Sequence, residues 1–249
     1  MLAAIKAEMR KLLSVRSTYV ITGIGLLLTI FVSGYVEGYN LKGADLTNVN
    51  HYTDAITGAL TSVPLILGSI VALLLITHEY RYNTILYTLT NSKSRSRVLA
   101  AKIITITIYA LLLTLVVSVL SPLASYIGIS LKGSHLAAQT IPYASLLWRC
   151  LYYGWTSLLA ALAIGVLVRS QVGAIVTLFV IPTVELMFTS LLKTKAVYLP
   201  FTGASNAILT HPQASQGVMS YGRAAIVFGI YLLIAWIVAW ILFLRRDAN

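Results

Sequence analysis

The sequence predicts an all-α fold, a polytopic membrane protein with six transmembrane helices. Of the 249 residues, 58% are hydrophobic and 10% are charged, and the mean hydropathy is +0.86. Soluble domains carry about 25% charged residues. A helical crossing of the hydrocarbon core needs about 20 apolar residues, and six runs of this kind occur along the chain. We therefore expect one six-helix transmembrane domain over residues 1–249.

The six apolar runs account for most of the chain and are separated by polar or charged segments. They cover approximately residues 18–36, 60–77, 103–129, 148–168, 172–192 and 224–244. The third run is longer than a crossing requires, so its helix is expected to tilt or to project beyond the bilayer. Small residues such as Gly154 and Gly165 in the fourth run predict close helix packing.

Residues 1–17 precede the first run and predict an amphipathic helix that lies in the membrane interface. Apolar residues recur at helical spacing, and charged residues occupy other positions: Leu2, Ile5, Met9, Leu12 and Leu13 on one side, Lys6, Glu8, Arg10 and Lys11 on the other. Such a helix buries its apolar face in lipid and directs its cations to anionic head groups. The alternative is a basic orientation signal that forms no lying helix.

The distribution of Lys and Arg predicts the orientation of the chain. Twelve of these residues fall in the amino-terminal segment, the even-numbered loops and the carboxyl-terminal segment, and six fall in the odd-numbered loops. The richer set is expected in the cytosol, which places both termini there. The net charge of +11 is explained by the Lys and Arg residues that gather on the cytosolic side of the membrane, so we expect no nucleic-acid partner. The longest outer loop, residues 193–223, is a candidate re-entrant segment because its stretch 198–209 is only weakly polar.

The sequence lacks common catalytic motifs, and we therefore expect that the chain is not itself an enzyme. No G-x-x-x-x-G-K-[ST] phosphate loop occurs, so the chain has no such means of holding ATP. The four histidines are scattered over different segments and predict no metal site. One acid, Glu185, lies well inside a predicted crossing, three residues after Pro182, which is expected to kink that helix. Glu185 either faces a polar pathway or pairs with Lys193, Lys195 or a neighbouring helix.

Residues 78–102 form a charged segment between the second and third runs. The segment is compatible with a short helix–turn–helix at the inner membrane face, and its aromatic and Arg side chains are typical of docking surfaces. The alternative is a basic membrane anchor without a partner. The run E-Y-R-x-x-T-I, followed by T-L and S-R-x-x-V-L-A-A-K, carries these positions: Glu79, Tyr80, Arg81, Thr84, Ile85, Leu89, Arg95, Arg97, Val98, Leu99 and Lys102.

This run resembles the first cytosolic loop of permease subunits in the second (type 2, type V) superfamily of ATP-binding-cassette exporters. The layout is similar too, with an interfacial helix, six crossings and an Arg245-Arg246-Asp247 ending, so the resemblance spans essentially the whole chain. There are two departures: Asn83 stands where a glycine is common, and Ser92 stands near a common proline. They affect the expected geometry of the turn.

The resemblance implies a coupling helix in the loop after the second crossing, seated in a cleft of a separate ATPase subunit. ATP and magnesium would be held by that subunit, and two permeases would pair above two ATPases as a homodimer or a heterodimer. By the same analogy Pro182 and Glu185 lie on a pathway or interface helix. The implied coupling residues are Glu79, Tyr80, Arg81 and Thr84, with Arg95 and Arg97 anchoring the helix to the ATPase or to lipid head groups.

The expected function is therefore the permease half of an ATP-driven exporter, located in the plasma membrane of a bacterium. Its substrate would be hydrophobic or amphipathic: a drug, a lipid-like molecule or a peptide. Two alternatives from other classes stay open. One is an ion-coupled secondary carrier that uses Glu185, and the other is a non-transporting assembly or immunity component of the membrane.

Overall fold

The computed structural model describes residues 1–40, 57–58, 63–85, 87, 94–134, 143–209 and 219–245. Six of the helices in these residues are long and apolar enough to cross a membrane, which confirms the predicted all-α, polytopic fold. In chain order the α-helices are α1 (Leu2–Ser14), α2 (Arg16–Phe31), α3 (Val63–Arg81), α4 (Arg95–Leu131), α5 (Tyr143–Val168), α6 (Gln171–Leu192), α7 (Ser205–Leu209) and α8 (Tyr221–Arg245).

Three shorter stretches complete the helical segments. A π-helical stretch, Val32–Tyr39, continues α2 and makes up the rest of the first crossing. A 3₁₀ stretch, Lys193–Tyr198, and a π-helical turn, Pro200–Ala204, lead from α6 to α7. The remaining crossings, from the second to the sixth, are α3, α4, α5, α6 and α8.

The centre of the bundle is formed by α3 and α5, which pack against each other. Helix α3 also contacts α2, α4 and α6, and α5 also contacts α4, α6 and α8. In the most apolar 18 residues of α3, 61% of the residues are buried inside the protein, whereas the same share for helix α6 is 6%. Helices α3 and α5 are therefore held mainly by contacts with other helices, and α6 turns most of its surface away from the bundle.

Small residues allow the two central helices to approach closely, as predicted. In α5 the stretch from Leu158 to Val166 is buried throughout. A β-carbon added at Gly165 would lie 2.7 Å from Ile76 Cγ2 and 3.3 Å from the carbonyl oxygen of Leu73, both in α3. Glycine is thus required at this crossing point because any side chain would push α3 and α5 apart.

Several contacts gather helix ends at one end of the bundle, which we call the basal end. Here α1 lies beside α4, and Arg81 at the end of α3 donates a hydrogen bond to Gln171 at the start of α6. Arg95 at the start of α4 donates to the carbonyl oxygen of Leu244 near the end of α8. The start of the chain and the end of the sixth crossing therefore lie on the same side of the bundle.

The crossing helices run further into the charged segment than the sequence predicts. Helix α3 continues to Arg81, and α4 already begins at Arg95, eight residues before the predicted run. Helix α4 has 37 residues and is about 55 Å long, so it projects beyond a hydrocarbon core of about 30 Å. Its first turns are rich in Arg, Ala, Leu and Lys, which are good helix formers. The central part of segment 78–102, residue 86 and residues 88–93, lies outside the described residues.

The described part of the long outer loop, residues 193–209, packs back against the bundle. The ring of Phe201 meets that of Phe228 edge to face, with centroids 6.1 Å apart. Phe228 stands seven residues into α8, about 10 Å along the helix axis. Ala204 and Ile208 are buried in the same contact. This portion is therefore inserted among α5, α6 and α8. The re-entrant character of the whole loop stays a prediction, and residues 210–218 lie outside the described residues.

Replacing Gly165 with Val is expected to destabilise the bundle because the new side chain meets α3 on both its side-chain and backbone atoms. The expected loss is about 1–3 kcal/mol, the usual cost of overpacking. The measurement is the thermal unfolding midpoint of the protein in mild detergent. Gly23→Val is the matched control, since a β-carbon at Gly23 meets nothing within 4 Å. Equal midpoints for the two variants would contradict the packing described here.

Candidate functional site

Four charged side chains from three helices form a buried cluster at the basal end, which we call the charge cluster. It consists of Glu8 and Lys11 of α1, Glu79 of α3 and Lys102 of α4. Lys102 Nζ lies 2.7 Å from Glu8 Oε2 and 2.9 Å from Glu79 Oε1. Lys11 Nζ lies 2.8 Å from Glu8 Oε1 and 2.6 Å from Glu79 Oε1. Two acids and two bases therefore neutralise each other across three elements.

Lys102 is the most deeply buried member of the cluster, with no exposed side-chain surface. Its ammonium group can donate three hydrogen bonds, and the third goes to the carbonyl oxygen of Leu75 at 3.2 Å. A buried charge is tolerated only when it is paired and hydrogen-bonded. Lys102 therefore depends on Glu8 and Glu79 together, and α4 can only be buried here if α1 and α3 are both present.

The two residues of the cluster in α1 have shifted pKa values. Burial alone would raise the pKa of Glu8, but the positive charges of Lys102 and Lys11 and their hydrogen bonds hold it below the ordinary value of 4.5. Burial alone would lower the pKa of Lys11, but hydrogen bonds to Glu79 and Glu8 raise it above the ordinary value of 10.5. At neutral pH, Glu8 is therefore ionised and Lys11 is protonated.

The position of α1 corrects one part of the amphipathic prediction. The helix forms as expected, and Lys6 and Arg10 are exposed. Glu8, however, is turned into the bundle beside Leu12, with 3% of its surface exposed. The hydrophobic pattern assigned Glu8 to the polar face because it could not anticipate that two lysines would neutralise a buried carboxylate. The buried face of α1 thus meets protein, and its placement in the membrane interface stays a prediction.

The charge cluster could be found in part from composition. The chain has seven acids in total, against eighteen Lys and Arg residues. Glu8, Glu79 and Asp247 are the acids in the segments that carry the twelve basic residues, so each of them is conspicuous. What the sequence does not indicate is that Glu8 and Lys102, ninety-four residues apart, are in contact.

The three residues of the E-Y-R motif contact different elements at the basal end. Glu79 joins α1 and α4 through the charge cluster, although its second oxygen, Oε2, is buried and accepts no hydrogen bond from the described residues. The guanidinium of Arg169, in the turn between α5 and α6, lies 5.3 Å from the ring centre of Tyr80. Arg81 Nη1 donates to Gln171 Oε1 at 2.9 Å. One turn of α3 is therefore linked to α1, α4 and α6.

The remaining predicted coupling residues lie nearer the surface. Thr84 and Arg97 are exposed, and half-buried Arg95 donates to the carbonyl oxygen of Leu244. Asn83, which replaces a common glycine, has a φ of 53° in the left-handed region. Glycine adopts this conformation at no cost, and Asn is among the few other residues that tolerate it. The departure at Asn83 therefore leaves the expected turn possible.

Glu185 has a structural partner that the sequence did not suggest. Its Oε2 accepts hydrogen bonds from the backbone N–H groups of Phe201 at 2.9 Å and Thr202 at 2.8 Å, and from Thr202 Oγ1 at 3.1 Å. These donors belong to the first turn of the inserted segment after Pro200. No ion pair to Lys193 or Lys195 is present among the described residues. Glu185 thus caps the inserted segment and ties it to α6.

Pro182 lies inside α6, which continues unbroken from Gln171 to Leu192. Proline cannot donate a backbone hydrogen bond to the carbonyl four residues earlier, at Leu178. The next residue, Thr183, donates from Oγ1 to the neighbouring carbonyl of Phe179 at 2.8 Å. The structure does not bring Pro182 or Glu185 near the charge cluster, since Glu185 lies at the end of α6 that meets the outer loop. Their roles in a pathway stay predictions.

A comparison with protein-family models gives a match over most of the chain. A family model described as "ABC-2 family transporter protein" matches residues 4–190. The match begins in α1 and ends near the end of α6, so it contains the whole charge cluster as well as Pro182 and Glu185. No curated protein and no solved structure matches the chain.

Replacing Lys102 with Met is expected to undock α1, because it leaves Glu8 and Glu79 buried with only Lys11 between them. Removal of one partner from a buried pair costs about 3–5 kcal/mol. The readouts are the thermal unfolding midpoint in detergent and the rate at which a protease cleaves after Lys6 or Arg10. The double variant Lys102→Met with Glu8→Gln restores neutrality and is expected to recover part of the loss. If the double variant is no more stable than Lys102→Met, charge balance does not hold α1.

Replacing Glu185 separates a capping role from a proton-coupling role. Gln keeps an acceptor oxygen for the N–H groups of Phe201 and Thr202, whereas Ala removes it. A cap predicts near-normal stability for Glu185→Gln and a loss of about 1–3 kcal/mol for Glu185→Ala, measured by thermal unfolding. A carboxyl group that must bind and release protons predicts that both variants lose transport equally. Equal stability of the two variants would contradict the cap.

Proposed function

The chain belongs to the ABC-2 family of transporter proteins, and on that premise we propose that it is the permease subunit of an ATP-driven exporter. In this proposal the transmembrane helices line the route of the substrate, and a separate ATP-binding-cassette subunit hydrolyses ATP. The chain supplies no phosphate loop of its own. ATP and magnesium therefore belong to the partner subunit, and the chain converts the partner's movement into transport.

One geometric observation supports the proposal in addition to the family match: an ion pair holds the two ends of segment 78–102 together. Glu79, near its start, and Lys102, at its end, form an ion pair at 2.9 Å. A segment held in this way cannot be displaced without moving both α3 and α4, and α1 is attached to the same pair. A force on the segment would therefore reach the bundle as a concerted displacement of these three helices.

The proposed coupling residues differ in what they contact. Glu79 and Tyr80 face into the bundle, and Arg81 reaches the start of α6, so these three act as positioning residues for the segment. Thr84 and Arg97 are exposed at its two sides, where the ATPase subunit or lipid head groups would meet the segment. Arg95 is attached to the end of α8 and would hold the sixth crossing in register with the segment.

We further propose that the basal end lies in the cytosol, with both termini, because twelve of the eighteen Lys and Arg residues belong to segments on this side. The ATPase would bind there, and two permeases, identical or related, would pair above two ATPases. The membrane would be the plasma membrane of a bacterium. A hydrophobic or amphipathic substrate, such as a drug, a lipid-like molecule or a peptide, suits helices with little polar lining, and outward transport follows the family analogy.

The two alternative functions receive no specific support from the geometry. An ion-coupled carrier would rely on Glu185, but the hydrogen bonds of that carboxylate are used by Phe201 and Thr202. An assembly or immunity component would have no need for a cytosolic segment whose two ends are held together by an ion pair. Both alternatives remain distinguishable from the proposal by experiment.

The proposal predicts that the tagged chain, extracted in mild detergent from its own membrane, retains an ATP-binding-cassette subunit in about equal amount. Quantitative mass spectrometry of the purified complex measures this ratio. Arg97→Glu places a negative charge on the exposed side of the segment and is expected to lower ATPase recovery severalfold. Arg223→Glu makes the same change at an exposed residue at the start of α8, on the opposite side, and is expected to leave recovery unchanged.

Two results would contradict the proposal. One is the absence of any ATPase subunit from complexes that stay intact, and the other is transport by vesicles that contain the chain alone. Equal losses in Arg97→Glu and Arg223→Glu would leave the function standing but would show that segment 78–102 is not the docking surface.

A further inference from the structure

A cavity of about 720 Å³ opens at the basal end, between the junction of α1 and α2 and the last turns of α3. It is separate from the contacts of Glu185 and lies beside the charge cluster. Its volume falls within the range of about 300–1,000 Å³ that is usual for ligand sites. Its walls are mostly apolar, with Leu12, Val15, Val71 and Leu74 among them.

The depth of the cavity indicates what kind of molecule can fill it. Its lining on α3 extends from Val71 to Glu79, a rise of about 12 Å along the helix. This distance is less than half of a hydrocarbon core of about 30 Å. The apolar part therefore lies within one leaflet, between two helices that cross the membrane. The medium at this depth is lipid, so the natural occupant has an acyl chain.

The mouth of the cavity selects for charge. Its charged lining residues among those described are Lys11, Arg16 and Glu79. Lys11 and Glu79 already neutralise each other within the charge cluster. Arg16 is exposed and stands at the first position of α2, directly after the interfacial helix, where lipid head groups lie. Ser17 and Thr18 line the same rim and add hydroxyl donors. The site is thus basic at the interface and apolar below it.

From this arrangement we infer that the cavity between α1, α2 and α3 binds an anionic phospholipid of the basal leaflet, with its phosphate at Arg16 and an acyl chain along Val71 and Leu74. The lipid is a resident ligand of the permease and not its cargo. Because Leu12 and Lys11 belong to the same wall, a bound lipid contacts α1 and α3 at once. Occupancy therefore supports the docking of α1 that the charge cluster sets. The inference does not depend on the identity of the ATPase subunit.

The test uses the full-length chain in mild detergent, together with any subunits it retains, after removal of co-purified lipid. Phosphatidylglycerol and phosphatidylcholine with the same acyl chains are added in equal amounts, and native mass spectrometry counts the lipids that stay bound. We expect the wild type to prefer phosphatidylglycerol. Arg16→Gln is expected to reduce this preference about fivefold, which corresponds to about 1 kcal/mol for one basic residue at a membrane surface.

Three further variants make the result specific. Arg16→Lys keeps the charge and is expected to keep the preference. Arg10→Gln removes an exposed cation from the same face of the protein, outside the cavity, and is expected to behave as wild type. Leu74→Trp fills the apolar depth and is expected to lower the binding of both lipids.

Several outcomes would overturn the inference. They are equal binding of the two lipids to the wild type, an unchanged preference in Arg16→Gln, and an equal loss in Arg10→Gln. Exclusion of phosphatidylglycerol whenever an ATPase subunit is bound would show that a protein segment occupies the cavity. If Arg16→Gln fails to fold, the wild-type preference and the Arg16→Lys and Leu74→Trp variants still decide the question.

Discussion

The organisation of this protein depends on the requirement that buried charges be neutralised where they lie. Lys102 has no exposed side-chain surface. The free-energy cost of removing its ammonium group from water is offset only by opposite charges close to it. Glu8 and Glu79 supply these from two other helices. Apolar contacts alone would let α1 slide along the bundle, because such contacts have no direction. Four paired charges allow one position of α1, so the cluster fixes register more than it adds stability.

That register has a direct effect on how the basal end can move. The ion pair of Glu79 and Lys102 closes segment 78–102, Tyr80 meets Arg169, and Arg81 meets Gln171. Three successive residues of α3 are thus connected to α1, α4 and α6. Under the proposed coupling, such a node converts a force on the segment into a shared displacement of these helices.

The sequence predicted the crossings well because a 20-residue apolar run has few alternatives in a membrane. It placed the six crossing helices and the amino-terminal helix α1, and it anticipated the close packing at Gly165. It did not predict that Glu8 faces inward, since hydrophobic periodicity assigns a lone carboxylate to the polar side. For Glu185 it left open a polar pathway or a pairing with Lys193, Lys195 or a neighbouring helix. The observed hydrogen bonds from Phe201 and Thr202 need a tertiary contact that no local pattern encodes.

The contact of Glu8 with Lys102 has a consequence for biosynthesis. The chain is made from its amino terminus, so Glu8 leaves the ribosome ninety-four residues before its deepest partner. Until α4 has been inserted, the carboxylate of Glu8 has only its neighbour Lys11 and water, and α1 must wait at the membrane surface. Insertion of α3 and α4 as a hairpin then presents Glu79 and Lys102 together. The seating of α1 is therefore a late event, which requires α3 and α4 to be in place first.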